Sequence, residues 1–92
     1  MSDKNKATEA EIQAVLKNFI METFLPGDDP AKLAIDYPLV STGIVDSASL
    51  VILLTHLEDE YGVTFTVEEI AHEEVESIET IAAAVFRKTR EA

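Results

Sequence analysis

Apolar residues recur along this chain at helical spacing rather than in strand alternation. Ile12, Val15, Leu16, Phe19, Ile20 and Phe24 fall on one face of a 3.6-residue repeat. Thr8 and Glu11 ahead of them make a capping-box pair. This predicts a first helix over residues 8–25, stopped by Pro26-Gly27-Asp28-Asp29-Pro30. A second helix is predicted from Ser47 to Tyr61, with Asp46 as N-cap and Gly62 as C-cap. Leu50, Leu54, Leu57 and Tyr61 share a narrow arc of it, flanked by Val51 and Leu53, and all six are expected in the core. The opposite arc carries Ala48, Ser49, Ile52, Thr55, His56 and Asp59. Thr66 and Glu69 repeat the capping-box pattern and predict a short helix over residues 67–72. Ser77 caps a last helix with Ile78, Ile81, Ala82, Val85 and Phe86 on one face. Arg87, Lys88 and Arg90 lie in its final turns, where cations suit the helix dipole. Val63-Thr64-Phe65 is too short to count as a strand.

The expected fold is therefore all-α: a small four-helix bundle of three longer helices and one short one. A long connection over residues 26–46 joins helices one and two, and Leu33, Ile35, Leu39 and Ile44 are expected to hold it against the core. Residues 1–7 read as a polar, frayed tail, and residues 8–92 as one helical domain.

Charge narrows the choice of partners. The net charge is −11, and no Lys or Arg occurs between Leu33 and Phe86. Eleven acids lie in that stretch, while the seven acids outside it balance all seven basic residues. The whole net charge thus sits on the central segment. Such a surface repels nucleic acid and anionic membrane and attracts basic protein patches. With 47% hydrophobic residues, the chain is not a disordered acidic tail. It has no cysteine, so any sulfur chemistry must come from an added group. No apolar run is long enough to span a membrane or serve as a signal peptide, and a cytoplasmic monomer is expected.

Unaided catalysis has little to work with, and the chain is not expected to be an enzyme. His56 and His72 are the only histidines, and neither sits in a nucleophile or zinc spacing, so both read as surface residues. Gly27-Asp28-Asp29 lacks the alternating acids and distal Glu of a calcium loop, and no metal site is expected. One position stands out. Ser47 follows a long loop and an N-cap aspartate, so its hydroxyl opens a helix whose positive end would favour a phosphate ester. An Asp-Ser pair at a helix start is common without any function. Glu58-Asp59-Glu60 at the far end oppose the dipole, however, as expected of a face kept for a partner.

These residues resemble the acyl carrier protein family. Asp46-Ser47 is similar to the start of its Asp-Ser-Leu motif. Glu58-Asp59-Glu60-Tyr61-Gly62-Val63 resembles its Glu-Glu-x-Phe-Gly-Ile segment at the right distance from Ser47. Val51, Leu53 and Leu57 fall where the family keeps apolar core positions. Glu68-Glu69-Ile70 and Ile78-Glu79-Thr80-Ile81 are similar to the openings of its third and fourth helices. The likeness covers residues 9–88. Ser49-Leu50 also fits Ser-Leu, yet only Ser47 follows an aspartate and keeps the spacing to Tyr61.

The resemblance implies that a phosphopantetheinyl transferase joins 4′-phosphopantetheine from coenzyme A to Ser47 through a phosphodiester. The arm's thiol would then carry an acyl-type group as a thioester between loading and transferring enzymes. Asp46 would serve the motif and cap the helix. Ala48, Ile52, Thr55, Glu58 and Asp59 would meet basic patches on those partners in fast, salt-sensitive encounters. The sequence departs from the family at Ala48, where leucine is usual, at Ile52 and Thr55, and in placing Gly43 four residues before the serine. These departures imply a specialised, stand-alone carrier in a lipid or polyketide pathway; an aminoacyl pathway stays open, but the Gly-Gly-x-Ser core typical of peptidyl carriers is absent, which counts against it. An unmodified acidic adaptor that binds a basic protein is the alternative reading.

Overall fold

In the computed structural model, residues 7–29, 31, 33–66, 68 and 75–91 are described. Among these residues three helices follow one another: α1 (Glu9–Thr23), α2 (Ser47–Tyr61) and α3 (Ile78–Glu91). No strand occurs among the described residues. The short helix expected over residues 67–72, with its Glu69 cap and with His72, lies outside the described residues except for exposed Glu68.

α1 begins where the capping box places it. The Glu11 N–H donates to Thr8 Oγ1 at 3.2 Å, and the Thr8 N–H donates back to Glu11 Oε1 at 2.8 Å. It ends two residues sooner than the periodicity predicts. Phe24 is the C-cap, and the N–H groups of Phe24 and Leu25 both donate to the Ile20 carbonyl. Pro26 disfavours helical backbone at Leu25 and accounts for the early stop. Ile12, Leu16, Ile20 and Met21 are buried, while Val15 and Phe19 lie half-buried at the edge of that face. Ala7, just before the N-cap, packs against the core, and its carbonyl accepts from the Arg90 guanidinium at 3.0 Å.

α3 packs most extensively against α1 and less against α2. Its start is fixed by a reciprocal pair: the Thr80 N–H donates to Ser77 Oγ (3.2 Å) and the Ser77 N–H to Thr80 Oγ1 (3.0 Å). Ile78, Ile81, Ala82, Ala84 and Val85 are buried, with Phe86 half-buried. Arg90 lies over the Phe86 ring at 4.5 Å. Lys88 Nζ sits 5.1 Å from the Phe65 centroid.

The long connection is held mainly by its backbone. Leu39 is fully buried; its N–H donates to the Glu76 carbonyl at 2.7 Å and its carbonyl accepts from the Val45 N–H at 3.1 Å. The Ser41 N–H donates to Glu76 Oε2, and the Glu79 N–H donates to the Ile35 carbonyl. The segment entering α3 thus clasps the loop that leads to α2. Leu33 and Leu39 reach the core as expected, and Val45 joins them. The Ile35 side chain does not: it is exposed, and only its carbonyl anchors the loop.

Candidate functional site

Ser47 is the first residue of α2 and is exposed. Asp46 before it has extended backbone (φ −89°, ψ −173°), and its carboxylate accepts the Ser49 N–H at 2.8 Å while its carbonyl accepts from Leu50. That capping bond from Ser49 holds the Asp46 carboxyl below the usual aspartate range. Asp46 therefore stays anionic and turned toward the helix, leaving the adjacent Ser47 hydroxyl in solvent. At the other end Gly62 closes the helix with φ +69°, a left-handed conformation in which a side chain would be strained. Gly43, four residues before Ser47, has φ +85° in a turn closed by its N–H to the Val40 carbonyl.

Burial sorts the rest of α2 into two faces. Leu53, Leu54, Leu57 and Tyr61 are buried, and Leu50 is half-buried. Ala48, Val51, Ile52, Thr55 and Asp59 are exposed and repeat at intervals of three and four, so they form one outward stripe beginning at Ser47. Val51 is a correction. Expected in the core beside Leu53, it is 64% exposed, and with Ile52 (51%) it makes an apolar pair one turn from Ser47. The wheel places Val51 at the border of the apolar arc, and α2 turns that border outward.

Two other expectations change. Glu58 is half-buried, and its Oε2 accepts the Phe65 N–H at 3.2 Å. One of the three terminal acids thus holds the chain that follows Gly62, so only part of that acidity needs a partner to explain it. His56 is not a solvated surface histidine. Its ring stacks on Phe19 of α1, with centroids 4.1 Å apart and planes 12° apart. Phe19 in turn meets Phe24 edge-on at 6.0 Å.

Near Ser47 the sequence gives little warning of a cleft of about 220 Å³ between the end of α1 and the long loop. Met21, Leu25, Leu33, Tyr37 and Ile44 line it, with Asp28 and Asp29. Those two acids read in sequence only as helix-stopping turn residues.

A covalently tethered phosphate ester requires an exposed hydroxyl and a setting that tolerates added negative charge. Ser47 offers the first, and the first-turn N–H groups of α2 offer the second. The residues fit the group.

A structure of KstB-PCP in its apo form superposes with a TM-score of 0.67 at 31% sequence identity, covering 89% of this chain and 90% of that one. No curated protein matches the chain. Residues 23–85, which include the long loop, Ser47, all of α2 and the start of α3, match the family model for the phosphopantetheine attachment site. The chain belongs to that family, the carrier domains that take a covalent 4′-phosphopantetheine.

Proposed function

We propose that Ser47 is the attachment residue, and that the chain holds an acyl-type group on its arm for delivery between enzymes of a dedicated lipid, polyketide or aminoacyl pathway. The observation that carries this is the exposed Ser47 hydroxyl at the first position of α2, directly after the capping Asp46 and inside the family match. Ser49 is the competing serine. It is half-buried, and its N–H is committed to Asp46.

In the attachment step Ser47 Oγ forms a bond to the β-phosphorus of coenzyme A. Adenosine 3′,5′-bisphosphate leaves, and the hydroxyl proton passes to a base of the transferase. A phosphodiester on Ser47 would meet the positive end of α2, where the first-turn N–H groups favour negative charge. When bound, the group supplies the thiol that this cysteine-free chain lacks, and a thioester there keeps the cargo activated. The outward stripe of Ala48, Val51, Ile52, Thr55 and Asp59 offers partners apolar contact near the arm and negative charge farther along.

Intact-mass analysis after incubation with coenzyme A and a broad-specificity transferase tests the assignment. Wild type and Ser49→Ala should each gain one phosphopantetheine and Ser47→Ala none. A gain that survives Ser47→Ala and is lost in Ser49→Ala would reassign the site.

A further inference from the structure

We infer that Glu76 is a positioning residue for phosphopantetheine attachment: from the segment entering α3 its side chain holds the turn that hands the chain to Asp46 and Ser47. This rests on the reading of Ser47 as the attachment residue.

Between Pro38 and Val45 the chain closes on itself. Thr42 Oγ1 donates to the Pro38 carbonyl at 2.6 Å, the Gly43 N–H to the Val40 carbonyl at 3.1 Å, and the Val45 N–H to the Leu39 carbonyl at 3.1 Å. Val45 is buried and stands two residues before Ser47, so their Cα atoms are at most about 8 Å apart. Whatever fixes this turn therefore limits where the start of α2, and the Ser47 hydroxyl with it, can lie.

Glu76 holds the turn with both of its polar groups. Its carbonyl accepts the Leu39 N–H at 2.7 Å, and its Oε2 accepts the Ser41 N–H at 3.1 Å. Leu39 is the relay, because its own carbonyl takes the Val45 N–H. The Glu76 end is anchored: Val75 before it and Ser77 and Ile78 after it are buried. Its side chain is also spared for the loop. A polar side chain beside a helix start can be drawn onto the first N–H groups of that helix. Here the reciprocal bonds of Ser77 and Thr80 cap α3 instead. The Glu76 carboxylate reaches Ser41, and carboxylate acceptors make stronger bonds than neutral ones.

A transferase closing on Ser47 thus meets a loop already in one arrangement. Without the Glu76 side chain the turn would open more often. The competent fraction of the carrier would fall, and its apparent affinity with it. The loss should appear in KM for the carrier and not in kcat.

The test is steady-state transfer from coenzyme A by the broad-specificity transferase, with the full chain as varied substrate, beside amide hydrogen exchange. Glu76→Ala removes the acceptor. Glu76→Asp keeps the charge but draws the carboxylate back by one methylene. Glu76→Gln keeps an acceptor oxygen within reach of Ser41 and drops the charge. The Ala and Asp variants should raise KM about three- to tenfold with kcat unchanged, and should speed exchange of the Ser41 and Val45 amides about tenfold, as loss of a bond to a charged group implies. The Gln variant should stay within about threefold of wild type in both, as a neutral acceptor still makes the bond. Ile81→Val, a core change on α3, should lower the melting temperature and leave KM as it is. If Glu76→Ala does not fold, the Asp and Gln pair decides the matter. With the mass gain still on Ser47, unmoved KM and exchange in Glu76→Asp would overturn this inference alone. So would a Gln variant as impaired as Asp, or an equal rise in KM with Ile81→Val. A mass gain that survives Ser47→Ala would overturn the attachment reading and this inference with it.

Discussion

The imidazole of His56 lies flat against the ring of Phe19, joining α2 to α1. Such a ring pair contributes about 0.5–1.5 kcal/mol beyond the area it buries. A double-mutant cycle of Phe19→Ala and His56→Ala, followed by urea melts, should return a coupling energy of that size. Strictly additive losses would mean that the rings are neighbours without being partners.

The two faces of α2 make opposite demands on substitution. Leu54→Ala should cost about 2–5 kcal/mol, because the side chain is buried among core residues. Val51→Ala should change stability by no more than about 0.5 kcal/mol, since it faces solvent. Equal costs would show that the helix is rotated from this orientation.

Glu58 and Asp59 separate stability from docking. Glu58→Ala removes the acceptor for the Phe65 N–H and should destabilise by about 1 kcal/mol. Asp59→Lys should leave the melt unchanged while weakening transferase binding and flattening its salt dependence. If Asp59→Lys binds as wild type does, the acidic end of α2 is not a docking surface.

Among the described residues, two groups link stability to pH. The Asp46 carboxyl titrates lower in the folded chain than in the unfolded one, because of its bond from Ser49. The unfolded state takes up the proton first, so the stability from this cap is present above the ordinary aspartate pKa and is lost as pH falls through the folded value. Burial, reinforced by the nearby charges of Glu60 and Glu11, raises Tyr61. The unfolded tyrosine ionises first, so its contribution is whole below the ordinary tyrosine pKa and lost as pH rises through the folded value. Melting temperature against pH should lose its acid limb in part in Asp46→Asn and its alkaline limb in part in Tyr61→Phe. Unchanged limbs would remove these groups as the cause.

Much of this was legible in the residues themselves. Thr8-x-x-Glu11, Asp46 and Gly62 mark helix ends by chemistry that acts within one turn, and the structure keeps each of them. Leu54, Leu57 and Tyr61 are buried because their spacing leaves no other face for them. What pattern alone misplaced was decided at a distance. Val51 lies on the border of an arc, and only the setting of α2 against the rest of the bundle determines which way a border residue turns. His56 looks solvated until Phe19, on another helix, comes to lie against it. The cleft has no local signature either, because Met21, Leu33 and Ile44 meet only through the path of the loop.

That path is set from far along the chain. Ser41 hydrogen-bonds Glu76 across 35 positions, and Leu39 pairs with the same residue's carbonyl. The stretch delivering Ser47 to the start of α2 is thus tied to the C-terminal third of the chain. A polypeptide ending before Glu76 would keep Asp46 and Ser47 but lose both of these anchors on the loop that leads to them.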